Sequence, residues 1–257
     1  RRAMLPSCDE DFARSFLAAI DTNLFNLDSG LTVTLTAQGA GTVAGSALAT
    51  GFTDTFDGVE VIIGSLFDDT FTGAANATNH FGGMDGSDTF NGHATSSDTV
   101  DYSNDEIAGG GGAVIVNLGL TSVGGVSLNQ ALDGFGNVDT LSSIEHAIGT
   151  RFDDGFVGNS LGNFFDGGAG EDSMVGLGGN DTYVIDDVND EIDETVAGSG
   201  GDDLVRSWIT FALSTNFERL ELLGGANIDG TGNTLNNTIT GNSGANTLDG
   251  GDGNDIL

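Results

Sequence analysis

Aspartate recurs in this chain at intervals of nine and eighteen residues, always at a fixed distance behind a glycine, and carboxylates in that arrangement can hold a cation. From Gly149 the chain reads GTRFDDGFV, GNSLGNFFD, GGAGEDSMV and GLGGNDTYV without a gap. Position one is always Gly; position six is Asp154, Asn163, Asp172 and Asp181; position eight is Phe156, Phe165, Met174 and Tyr183. The pattern returns as GNTLNNTIT from Gly232, GNSGANTLD from Gly241 and GGDGNDIL from Gly250, with Asn237, Asn246 and Asp255 at position six. A looser copy, GSLFDDTFT from Gly64 and GMDGSDTFN from Gly83, puts Asp69 and Asp88 there.

Nine residues match no helical period, and glycine in the early positions permits the positive φ of tight turns. Each unit therefore reads as a turn plus a short strand, so that two units close one coil of about eighteen residues and the coils stack as parallel strands roughly 4.8 Å apart. The expected fold class is all-β, a parallel β-roll or β-solenoid of nonapeptide turns and short strands. Position-eight residues form an inner apolar ladder. Asp154 falls above Asp172 on one edge, and Asn163 above Asp181 on the other. Stacked carboxylates about 5 Å apart repel unless a cation lies between them. Calcium suits the site, because it takes six to eight oxygens in a flexible shell, whereas magnesium demands a stricter octahedron. The candidate ligands are the carboxylates of Asp69, Asp88, Asp154, Asp172, Asp181 and Asp255, the amide of Asn163, and the turn glycines Gly168, Gly170, Gly179, Gly251 and Gly253, whose carbonyls would stand beside them.

The composition narrows the partners. Thirty-nine Asp and Glu against six Lys and Arg give a net charge of −33 over 257 residues. Such a surface repels phosphate backbones and anionic lipid, so nucleic acid and membrane insertion are not expected. All six basic residues are Arg, which removes P-loop and Schiff-base lysine chemistry. One cysteine, Cys8, allows no internal disulfide. GNSLG at 158–162 fits the G-x-S-x-G nucleophile pattern, but it lies in nonapeptide register with no helical pattern after it. His80, His93 and His146 stand singly. No catalytic residue is expected.

A longer repeat overlays the nonapeptides: residues 54–73 match 139–158 at ten of twenty positions with an offset of 85, including Asp54/Asp139, Glu60/Glu145 and Gly64/Gly149. Ahead of each copy lies an alternating run, Leu31 to Leu35 and Val114 to Leu118, expected as half-buried strands. The expected organisation is a cap or linker over 1–23, with a short helix at Asp9 to Ile20; a first module over 24–104; a second over 105–184; and spacer strands with further nonapeptides over 185–257. Trp208 and Phe211 in the spacer are expected in the core. The acidic stretch Asp186 to Glu194 is expected as a solvated face.

GGAGEDSMV, GLGGNDTYV and GGDGNDIL resemble the G-G-x-G-x-D-x-U-x repeat of RTX, or haemolysin-type, calcium-binding proteins. The resemblance implies a secreted bacterial protein, extracellular or at the cell surface, that is exported by a type I secretion apparatus and folds on external calcium. It implies a calcium-binding β-roll region without its own catalysis. Alternatives are the non-catalytic C-terminal part of an RTX protease, lipase or mannuronan epimerase, and a structural adhesin or surface-layer spacer capable of self-association. Arg1 in place of methionine and an end at Leu257 inside a repeat suggest a piece of a longer chain, with the export signal beyond Leu257. Asn163, Asn237 and Asn246 depart from the pattern at position six, and Leu177 at position two; weaker or empty sites are expected there.

Overall fold

The computed structural model describes residues 30–37, 39–45, 53–56, 61–119 and 122–257. The expected helix at Asp9 to Ile20 lies outside them. The described chain is a β-solenoid whose short parallel strands stack into two long sheets facing each other, one of eleven strands and one of nine, with a three-stranded sheet near the C-terminus.

The eighteen-residue coil is present where the nonapeptides are unbroken. Gly155–Val157 pairs in parallel with Ser173–Val175, setting Phe156 beside Met174, and Phe164–Asp166 pairs with Thr182–Ile185, setting Phe165 beside Tyr183. In a three-residue strand flanked by turns only the central side chain points inward, and Phe71, Phe90, Phe156, Phe165, Met174 and Tyr183 are all buried. Their rings meet across and along the coils: Phe71 and Phe90 stack at 5.0 Å, Phe156 and Phe165 at 5.5 Å, and Tyr183 meets the Phe217 edge at 5.6 Å. These side chains run through the middle of one continuous core cluster. Among the described residues no second layer of helices covers the sheets, and the one short helix is Asp105–Ala108.

The looser N-terminal copy also coils, with one extra residue per turn pair. Phe71 faces Phe90, and Phe81 faces Val100, each nineteen residues on. The 85-residue repeat has a structural counterpart that an all-parallel reading did not contain. Leu31–Ala37, Ala40–Gly45 and Thr53–Phe56 form an antiparallel meander, as do Ile115–Asn117, Gln130–Leu132 and Val138–Ser142. The first strand of each then pairs in parallel with a nonapeptide strand: Val33 faces Phe71, and Val116 faces Phe156. Val138–Ser142 pairs with Thr89–Asn91, so one sheet runs through both modules.

One of the two core expectations for the spacer fails. Trp208 is 52% exposed rather than buried, since it follows the strand Leu204–Ser207 at an edge and lies over Gly224; Phe211 packs against the core, half-buried. Phe165 stands between Phe156 and Tyr183 with no exposed surface, so Phe165→Ala is expected to lower the stability of the folded chain by about 3–5 kcal/mol. Trp208→Ala should cost far less. Denaturant unfolding followed by far-UV circular dichroism measures both, and comparable losses would contradict the single-ribbon core.

Candidate metal centre

The position-six side chains from Asp69 to Asn237 are buried beneath their own glycine turns, and backbone groups hold them there. In four position-six residues one oxygen accepts the backbone N–H of the position-six residue in the preceding coil: Asp154 N–H donates to Asp172 Oδ1 at 2.8 Å, Asn163 N–H to Asp181 at 2.7 Å, Asp69 N–H to Asp88 at 2.7 Å and Asn237 N–H to Asp255 at 2.9 Å. The stacking of these groups, eighteen residues apart and nineteen for Asp69 and Asp88, is thus a ladder of charge-assisted hydrogen bonds. Glycine at position one is required by close approach. A Cβ on Gly149 would lie 2.5 Å from the Gly167 carbonyl oxygen and closer still to Asp154 Oδ2. At position four, Gly170 has φ +142°, and a Cβ there would meet the Phe152 carbonyl carbon at 2.7 Å. Gly168, Gly179, Gly251 and Gly253 also have positive φ and bring their turns against the carbonyls of Thr150, Leu161, Asn233 and Leu235 respectively.

The second oxygen separates the sites into two kinds. In Asp88, Asp172 and Asp181 it is buried and has no hydrogen-bond partner. In Asp154 both oxygens are used: Val114 N–H donates to one, Thr150 N–H to the other, and the Thr150 hydroxyl reaches both at 3.1 Å. Asp69 is served in the same way by the Leu31 and Ser65 backbone and by the Ser65 hydroxyl. Position two in these turns therefore supplies a backbone N–H and a hydroxyl to its carboxylate, donors that Gly168, Leu177 and Met84, all at positive φ, do not direct there. Asparagine at position six solves the problem differently. Asn163 accepts from Asn159 N–H through Oδ1 and donates through Nδ2 to the Glu145 carbonyl at 2.7 Å; Asn237 donates likewise to the Phe217 carbonyl and Asn246 to that of Ile228. Its NH₂ group stands where a cation would otherwise be needed. Asp255 lies in the last coil, half-exposed.

The structure also recruits residues outside the recognised nonapeptides. Asp98 accepts from Asn79 N–H, Asp139 from Asp88, Glu145 from Asp98, Asp190 from Asp172 and Asp203 from Asp181. GSGGDDLVR at 198–206 places Gly, Gly, Asp and Val at positions one, four, six and eight, a signal legible in the sequence; Glu145 carries no such signal. The acidic stretch after Ile185 is not wholly solvated, because Glu194 is 1% exposed. His80 pairs with Asp101 at 2.8 Å, and His146 Nδ1 accepts the Phe164 N–H.

Burial raises the orphaned carboxyls above their ordinary 3.8: Asp88 to about 9, helped by Asp139; Asp172 to about 7, with Asp154 and Asp190 adding repulsion; Asp181 to about 6, with Asp203. A raised value in the fold means that the metal-free fold holds these protons more tightly than the unfolded chain does. Its stability is therefore fullest below about 3.8 and is lost as pH rises through about 6 to about 9. In chelator the strand signal in far-UV circular dichroism should be greater near pH 5 than near pH 8, and calcium should abolish the difference; a signal independent of pH would mean that these carboxyls do not limit folding.

Oxygen-only donors, crowded turn carbonyls and buried carboxylate oxygens without partners fit a hard divalent cation and no softer metal. The comparison with curated proteins gives no match. The family described as RTX calcium-binding nonapeptide repeat (4 copies) matches residues 148–183, 157–192 and 231–257. These stretches contain the stacked turns of Asp154, Asp172 and Asp181 and the last coil with Asp255, so the chain carries RTX calcium-binding nonapeptide repeats.

Proposed function

We propose that this chain is a calcium-loaded folding region of an exported protein, a β-roll that stays unfolded where calcium is scarce and folds outside the cell. The observation that carries this reading is the set of buried, partnerless oxygens on Asp88, Asp172 and Asp181 in stacked turns. A chain of net charge −33 must neutralise such groups to keep them dry, and calcium supplies that neutralisation. Asp88, Asp172 and Asp181, with turn carbonyls such as those of Thr150 and Leu161, would hold it. Asp69, Asp154 and Asn163 act instead as self-satisfied rungs that keep the coils in register.

Extracellular calcium modules bind at about 10⁻⁴ to 10⁻³ M, matched to calcium outside cells. At about ten times the dissociation constant each site adds about 1.4 kcal/mol, so several sites together can move the folding equilibrium. Secretion by a type I apparatus accords with this calcium logic and with the repeat family. Two copies of the 85-residue module in one continuous sheet favour a stiff spacer of a surface protein over the tail of an enzyme, and no catalytic role is proposed for these residues.

Titrating the chelated chain with calcium under far-UV circular dichroism, with magnesium as control, should give a cooperative rise in strand signal at sub-millimolar to millimolar calcium only. A flat response would end the proposal. Two variants refine it. Asp172→Ala leaves the Asp154 N–H without its acceptor and should raise the calcium midpoint, at a cost of about 1–3 kcal/mol. Asp172→Asn should bind one calcium fewer by equilibrium dialysis yet keep at least the wild-type strand signal in chelator, because its amide can act as Asn163 does. Identical behaviour of the two variants would contradict the division into cation-requiring and self-satisfied turns.

A further inference from the structure

The coil after Tyr183 is longer than its neighbours. Asp181 N–H donates to the Oδ1 of Asp203, twenty-two residues on rather than eighteen, and Tyr183 pairs with Val205 at the same offset. Asp190 and Ile192 keep nonapeptide register with Asp172 and Met174, so the four extra residues are those from Glu194 to Ala197. This insertion carries Glu194 into the wall beside Asp181. The Tyr183 hydroxyl donates to Glu194 Oε1, and Asn216 Nδ2 fixes the Glu194 carbonyl at 2.8 Å.

One carboxylate oxygen each from Asp181, Glu194 and Asp203 lies within 4.8 Å of the others. All three residues are at most 1% exposed. Asp181 Oδ2, Glu194 Oε2 and Asp203 Oδ2 are each buried without a partner in hydrogen-bond geometry, and the Ser199 hydroxyl stands beside Glu194. Among the described residues no basic side chain answers them: Arg206 pairs with Glu221 and Arg151 with Glu106. Three buried carboxylates at this spacing require a counter-charge, and their separation is one that a single calcium with bonds of about 2.4 Å can bridge.

We propose that Asp181, Glu194 and Asp203 form a calcium site closed by a ligand the nonapeptide does not contain, Glu194, which the four-residue insertion supplies. The inference rests on the calcium reading above and adds to it a site with three protein carboxylates. Tyr183 positions Glu194 through its hydroxyl.

Equilibrium dialysis of the whole chain against calcium tests it. Glu194→Gln is expected to bind one equivalent fewer than wild type while the remaining equivalents and the calcium-induced strand signal persist. Terbium used alone as the probe, excited through tyrosine, should give sensitised emission that Tyr183→Phe diminishes without changing calcium stoichiometry. Equal stoichiometry and midpoint in wild type and Glu194→Gln would overturn this site and leave the proposed function standing; absence of calcium binding by wild type would overturn both. Should Glu194→Gln fail to fold, unchanged terbium emission in Tyr183→Phe overturns the site.

Discussion

The architecture depends on one buried hydrogen bond between coils, repeated along each edge: a backbone N–H donating to the position-six carboxylate of the next coil, or, where position six is Asn, its amide N–H donating back to a carbonyl of the coil before. It fixes register, because a slip of one residue would leave a buried N–H and a buried carboxylate both without partners. It also fixes the chemistry. Where the acceptor is a carboxylate, the bond is charge-assisted, and inside the turn that carboxylate has a second oxygen to satisfy.

The chain answers that requirement in three ways, and their distribution makes the solenoid heterogeneous. A hydroxyl at position two, as in Ser65 and Thr150, donates to the carboxylate of its own turn. An amide at position six, as in Asn163 and Asn246, brings its own donor to a neighbouring carbonyl. Where neither is present, at Asp88, Asp172 and Asp181, an oxygen is left for a cation. Self-satisfied rungs have their donors within the chain, and the others keep a buried oxygen that the protein itself does not pair. The two kinds alternate within one stack, so partnered and unpartnered carboxylates lie one coil apart, as Asp154 and Asp172 do.

The narrow core explains why so much rests on the turns. Each coil contributes about two inward side chains, and aromatic contacts such as Phe71 with Phe81 at 5.3 Å run along a single file. Such a ribbon buries little apolar area per residue, so the edges must supply what a thicker core would elsewhere. The antiparallel meanders at Leu31–Ala37 and Ile115–Asn117 widen the sheet locally and begin a fresh run of parallel coils.

Much of this was legible in the sequence. Glycine at position one, Asp or Asn at position six and Phe, Met, Tyr, Ile or Leu at position eight determine the coil, its eighteen-residue period and which face is apolar, because turn conformation and side-chain alternation are local properties. The oxygen chemistry of the edges follows from the same spacing. Tertiary structure decided which carboxylates are left without donors, since that depends on what the neighbouring coil presents: Thr150 closes Asp154, whereas nothing closes Asp172. It also decided the burial of Glu194 and the exposure of Trp208. Both lie beside breaks in the nine-residue register, where a residue's surroundings are set by the coils above and below it and no longer by its position in the repeat.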